Sequence, residues 1–343
     1  MGGSASAQEI GDALSIPART VRYRLSVMME RGMLLPSYYQ TRERRVGLGE
    51  KILVVQEEPE KGDDLQRCIS KIPIFYWYIP TYGKHDGYLI HSVYDVREPE
   101  KLTKIVDKLK NTGLIQDYYS FDILDTDSKR IDFSEYGPRG KWLWDAELWK
   151  KEIEKGFPEG VRTPHNMSLE DEIIECDAND IRILKELKLG VETSMTALAS
   201  TTGIPVSSVR EKVQRLRKKG IVKGYRRAYG FAEDAIWFSC FIKIRENIPG
   251  VLNMFYALPH PGVIMMESET SYCVSFGFTA SELSAFLEGF RLLTSNLEHY
   301  AFQFHLPDII ESTYANVFDF FNEEKNRWDI PIDKCMRIID QYS

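Results

Sequence analysis

The sequence predicts an α+β chain in which two winged helix-turn-helix domains alternate with two ferredoxin-like βαββαβ domains of the dimeric α/β-barrel type. Three observations predict it. A segment near the start recurs 188 residues later. Apolar spacing switches from a helical period to strand alternation in the same order in both copies. Basic residues crowd one of the repeated helices although the chain carries a net charge of −7.

The repeat sets Ala7–Leu25 over Met195–Val213. Ile16-Pro17 falls on Ile204-Pro205, Val21-Arg22 on Val209-Arg210, and Gly32 on Gly220. The same offset carries Lys51–Glu58 onto Ser239–Glu246. Each copy then continues with a strand (51–57; 236–245), a short helix (64–72; 251–258) and two strands (74–81 and 87–94; 262–269 and 271–277). An amphipathic helix (98–111; 280–294) and a last strand (118–124; 300–306) close it. Leu102, Ile105, Val106 and Leu109 fix the helical face in one copy, and Leu283, Phe286, Leu287 and Phe290 in the other. β-α-β-β-α-β is the ferredoxin-like order. The expected domains are 1–48, 49–125, a helical connector 126–175, 176–232, 233–307 and a helical tail 308–343. In the connector, Trp142, Trp144 and Trp149 mark a helix that docks on a domain, and Pro158–Pro164 reads as loop. Trp328-Asp329 echoes Trp144-Asp145, so each unit is expected to carry its own extension.

The second helix-turn-helix is complete. Asp177 starts a first helix and Ser194 a second. Gly203 makes the turn, Pro205 opens the third helix, and Gly220 ends it. With Ile204, Val209, Val213 and Leu216 inward, Ser207, Ser208, Arg210 and Gln214 face out, the types that read base edges and phosphates in a major groove. From Ser207 to Arg227 nine basic residues stand against Glu211 alone, a local charge of +8. Lys218, Lys219, Arg226 and Arg227 belong to that patch, which suits phosphate binding. The first copy offers Arg19, Thr20, Arg22 and Tyr23 on its helix and Arg44 and Arg45 in an expected wing. It has only six residues before Ala7, too few for a first helix. Either the start is truncated or another segment covers the side left open, and a tail helix over 313–321 is the candidate for that cover.

Cys176–Leu184, Ile204–Arg210 and Gly220–Tyr225 together resemble the leucine-responsive regulator/AsnC (Lrp/AsnC) family of transcription factors. The resemblance implies a DNA-binding regulator with a sensing domain that responds to an amino acid or another small metabolite and pairs through its sheet. Thr81–Ile90 is similar to the family's glycine-then-aspartate turn, which implies Tyr82, Gly83 and Asp86 as ligand contacts. Ser268–Ser271 replaces that turn in the second copy. The duplicated form implies a pseudo-dimer within one chain, with an asymmetric DNA site and further homo-oligomers through the sensing domains. The sirohaem decarboxylases, which resemble the same family and pair two such units, are the alternative reading. The basic patch weighs against it, so the expectation is a regulator and not an enzyme. A scaffold that binds another protein through the Trp-bearing connector is a third reading.

Composition narrows the rest. Hydrophobic residues make up 43% and charged residues 28%, as in ordinary globular chains. No apolar run approaches the roughly 18 residues of a membrane span, and no leader is expected. Five scattered cysteines without a C-x-x-C pair point to reduced thiols and a cytoplasmic setting. No nucleotide, hydrolase or zinc motif appears, so no cofactor and no metal are expected. His299 and His305 are assigned to opposite faces of one strand. His85 and His91 flank another. Tyr76 and Trp77 read as core.

Overall fold

A computed structural model describes residues 6–31, 34–129, 136–137, 142–156, 167–189, 194–229, 235–245, 250–306 and 313–342. Gly32 and Pro158–Pro164 lie outside them. The four expected domains regroup in space. One compact unit holds 1–46, 173–233 and 321–328; the other holds 47–172, 234–320 and 329–343.

The first unit collects both helix-turn-helix segments. Its helices are α1 (Ala7–Leu14) and α2 (Ala18–Glu30) from the first copy. The second copy supplies α6 (Ala178–Lys188), α7 (Met195–Thr202) and α8 (Val206–Lys218). Sequence capping signals are realised. Ser6 and Glu9 form a capping box on α1, Asp177 and Asp180 one on α6, and the Ser194 side chain accepts from Ala197 N. Strand β1 (Leu34–Thr41) does not fold into a wing of its own. It pairs antiparallel with β7 (Val222–Tyr229) of the other copy, Tyr39 opposite Tyr225. A short ribbon, β12 (Phe321–Asn322) with β13 (Arg327–Trp328), completes the unit, and Trp328 Nε1 donates to Val46 O at 2.7 Å.

The second unit is built on nine strands. From the first copy come β2 (Leu48–Glu57), β3 (Phe75–Gly83), β4 (Gly87–Asp95) and β5 (Ile115–Ile123), with helices α3 (Gly62–Lys71) and α4 (Glu100–Asn111). From the second come β8 (Ile236–Ile244), β9 (Gly262–Met266), β10 (Ser271–Phe278) and β11 (Leu297–His305), with α9 (Gly250–Tyr256) and α10 (Ala280–Leu293). The order is β5-β2-β4-β3-β11-β8-β10-β9-β6, so each half runs fourth, first, third, second. Strand β6 (Asp125–Ser128), which lay in the expected connector, continues β5 and pairs with β9. The sheet thereby returns on itself, and the two halves meet at β3–β11 and at β6–β9.

The inward face gathers Ile52, Val54, Leu89, Phe121 and Ile123 of one half with Phe241, Met265 and Cys273 of the other. This corrects the fixed offset through the first strands. An offset of 188 matches Leu53 to Phe241, yet Ile52 and Val54 share the interior with Phe241, while Cys240 and Ile242 face the helices. A one-residue slip reverses every face of a strand.

The extensions also depart from expectation, because each docks on the half it does not follow. Helix α5 (Ala146–Glu154) of the connector packs on α10: Trp149 Nε1 donates to Met254 O at 2.9 Å, and a Cβ on Gly289 would strike the Trp149 ring. Helix α11 (Ile332–Ile339), at the far end, packs on α4 and α3, with Cys335 and Ile339 buried. The expected tail helix over 313–321 is instead a 3₁₀ stretch, Tyr314–Phe320, set against β3 through Tyr76. It belongs to this unit, and the first helix-turn-helix to the other.

Candidate functional site

Two places bring chemistry-bearing side chains together. The first is the outer face of α8. Val209, Val213 and Leu216 are buried, as are Ile181, Leu184 and Leu198 of α6 and α7, on which α8 packs. That leaves Ser207, Arg210, Gln214, Lys218 and Lys219 exposed, with Ser208 half-buried. Gly203 holds the left-handed turn at φ 71° before Pro205, where a side chain would be strained.

The basic cluster is smaller than its sequence suggests. Lys212 Nζ lies 2.7 Å from Asp177 and 3.2 Å from the fully buried Asp180, and Arg215 pairs with Asp180 as well. Burial opposes the charge on Lys212, but the hydrogen bonds it donates to the two aspartates hold its pKa above the ordinary value. Arg217 stacks over the Tyr39 ring at 5.5 Å and donates to its hydroxyl at 3.2 Å. Three of the nine cations therefore brace the fold, and Arg210, Lys218 and Lys219 present charge to solvent. Arg226 and Arg227 lie on β7 opposite Tyr38 and Ser37; their side chains lie outside the described residues.

On the first copy, Arg19, Arg22 and Tyr23 are exposed and Thr20 is half-buried. Val21 and Gly11 are the buried residues of α1 and α2, while Leu14 and Met29 are 62% and 50% exposed. The expected wing arginines sit elsewhere. Arg44 and Arg45 fall in a 3₁₀ turn, Glu43–Val46, where Arg45 is only 7% exposed, near Gly220. That burial does not suit phosphate contact by Arg45.

The expected ligand trio lies around the β3–β4 hairpin. Tyr82 lies on β3 opposite Phe304, and Asp86 accepts from Gly83 N at 3.2 Å within the hairpin. Gln303 of β11 grips the same loop, accepting from His85 N at 3.1 Å and donating to His85 O at 2.8 Å. A Cβ on Gly83 would run into the Phe302 carbonyl. This glycine-aspartate turn is where the two halves are stitched together.

The second place is inside the closed sheet. Glu50 shares the inward face with Ile52 and Val54. Its carboxylate accepts from Tyr76 Oη and lies 2.8 Å from His91 Nδ1, with Tyr76 Oη 3.2 Å from the same nitrogen. Trp77 sets its edge between His91 and His305, at 5.2 and 6.3 Å. His305 Nε2 lies 3.1 Å from Ser239 Oγ, itself 2.7 Å from Ser275 Oγ. Burial, with His91 nearby, pushes the His305 imidazole down to about 4, so it is neutral at pH 7. Glu50, His91 and His305 form an acid–base set that sequence reasoning passed over. The available signal was a Glu and a His at inward positions of otherwise apolar strands. His299 also needs correction: six residues from His305 is an even spacing, so the two share a face, and roughly 20 Å of strand separates them. Among the described residues no group of His, Cys, Asp and Glu is arranged to hold a metal. All five cysteines are free and buried. Among the described residues no helix is long and apolar enough to cross a membrane.

Comparison with known proteins follows the same division. Residues 177–223 match the winged helix-turn-helix DNA-binding family model. The siroheme decarboxylase NirDL superposes with a TM-score of 0.54 at 11% identity, over 98% of this chain and 92% of that one. Its complex with an iron-uroporphyrin III analogue gives 0.54 at 12% identity, over 92% and 91%. Escherichia coli AsnC covers 41% of this chain and 98% of its own, with a TM-score of 0.30 at 18% identity. A search of curated proteins found no sequence match. The expectation of a non-enzyme is corrected here, because the fold that spans nearly the whole chain is one an enzyme uses.

Proposed function

We propose that the chain is a sequence-specific DNA-binding transcriptional regulator whose reading head is the second helix-turn-helix. One observation carries this reading. The segment that matches a DNA-binding family model presents Ser207, Arg210, Gln214, Lys218 and Lys219 on the outer face of α8, over a complete three-helix core. A helix of this kind docks in the major groove with its N-terminal residues on base edges and its cations on phosphates. The tandem, ferredoxin-like character of the two halves belongs to the same proposal and is supported by their identical strand order. The unlike residues of the two heads, Arg19, Thr20, Arg22 and Tyr23 against Ser207, Ser208, Arg210 and Glu211, favour an asymmetric site. Selection of preferred duplexes from a random pool tests the reading. The expected product is an asymmetric site, with its conserved bases lost when Arg210 is replaced by alanine. A pool that stays random after selection overturns it.

A second reading gives the closed sheet an enzymatic role. It is favoured by the full-length fold shared with siroheme decarboxylase and by the inward Glu50–His91 pair facing a neutral His305. Titration with an iron-uroporphyrin checks it. A shifted absorbance band that is lost in His91→Ala supports the enzyme reading, and an unshifted band removes it.

A further inference from the structure

The second head shows what covers a helix pair of this kind. A shift of 188 residues carries α1 onto α7 and α2 onto α8 with the same bounds. In the second head α6 packs on α7 and α8. Leu198, Val213 and Leu216 are at most 2% exposed there, and Ile181, Leu184 and Leu187 of α6 are buried with them. Asp177, the N-cap of α6, and Asp180 in its first turn both pair with Lys212.

The first head has the same two helices with that side open. Among the described elements α2 packs on α1 and β1. Ile10, Leu25 and Met28, which match Leu198, Val213 and Leu216, are only half-buried. Leu14 and Met29, one helical turn on from Ile10 and Leu25, are 62% and 50% exposed. Arg24 matches Lys212. It is exposed, and among the described residues nothing pairs with its side chain. The acids of α1, Glu9 and Asp12, accept hydrogen bonds from Ser6 N and Gln8. Helix α2 carries Arg19, Arg22 and Arg24 against Glu30 alone, so two copies meeting by this face would set like charges together. We propose that the open side of α1 and α2 docks an amphipathic helix of a partner protein, with an apolar stripe like that of α6 and a carboxylate in its first turn for Arg24. That helix fills the place that α6 holds in the second head. Val27 stands where the second head has Arg215, so one carboxylate suffices. The proposal rests on neither DNA binding nor catalysis.

A fluorescein-labelled peptide of residues 177–189, the α6 sequence, tests it by anisotropy against the full chain. The peptide is expected to bind, and its Leu184→Asp form is not. Leu14 and Arg24 are exposed, so Leu14→Lys and Arg24→Ala are expected to melt as the wild type does. Leu14→Lys should weaken the peptide about tenfold. Asp180→Asn in the peptide should cost about threefold more on the wild type than on Arg24→Ala, a comparison that cancels the peptide's own loss of helix. No binding at millimolar peptide, an affinity unchanged by Leu14→Lys, or an equal cost of Asp180→Asn on both proteins overturns the proposal. So does displacement of the peptide by random duplex DNA, which would make the face a phosphate contact. Dimers in sedimentation that Leu14→Lys dissolves would assign the face to a second copy and overturn it equally.

Discussion

The two units differ in how closely their two halves match. In the sheet unit the halves match: each runs fourth-first-third-second, each gives a strand to the other's edge, and each receives the other's extension helix. In the helical unit the copies diverge. The second head has a three-helix core with buried Ile181, Leu184 and Leu187, while the first has two helices over Val21. The difference follows from what each architecture demands. A sheet that closes on itself leaves no strand edge unpaired only if both halves contribute in full. In the helical unit the two segments pair through the β1–β7 ribbon, which places no such demand on their helices.

The largest expected effect sharpens this contrast. Leu184→Ala, at a fully buried position, should cost about 2–5 kcal/mol in denaturant unfolding of the helical unit. Val21→Ala, a core truncation in the first head, should cost less than about 2 kcal/mol. Equal losses would break the asymmetry.

Asp180 comes next. Replacing it with asparagine leaves Lys212 and Arg215 without their buried carboxylate. Because both cations reach solvent, the expected cost is about 2–3 kcal/mol, below that of a fully buried pair. Denaturation at low and high salt checks this, and a neutral result would mean that the cations are not bracing the fold.

The sheet unit has a pH signature that the helical unit should lack. An ordinary histidine takes its proton near 6.5, and folded His305 resists to about 4. Between those values the unfolded chain binds more protons. The stabilisation is therefore present above pH 6.5 and falls through the window by up to about 1.4 kcal/mol per unit. His305→Asn should flatten the slope in thermal melts recorded from pH 7 to 4. The smallest effect is in the first head. Ser15 occupies the left-handed position, φ 55°, that Gly203 fills in the second. Ser15→Gly should raise stability by up to about 1 kcal/mol, read as a small rise in Tm.

Much of this architecture was legible before any coordinates. Strand alternation and the Leu102–Leu109 and Leu283–Phe290 stripes located the sheet and its helices to within a few residues. What the pattern could not carry was partnership. Nothing in Leu34–Thr41 says that it pairs with Val222–Tyr229 of the other copy, because pairing over such distances depends on the packed whole. The same limit explains the basic patch. Lys212 and Arg215 count as positive in sequence, and the neutralising Asp177 and Asp180 come from another helix. Glu50, His91 and His305 lie far apart in the chain and converge only when the sheet closes.

The most direct test of the account is the salt dependence of duplex binding by the wild type, Arg210→Ala and Arg22→Ala. The second head as reader predicts a linear fall of log affinity with log salt. It predicts a slope shallower by about one for Arg210→Ala and a smaller change for Arg22→Ala. Binding that is insensitive to salt, or unchanged by Arg210→Ala, would contradict it.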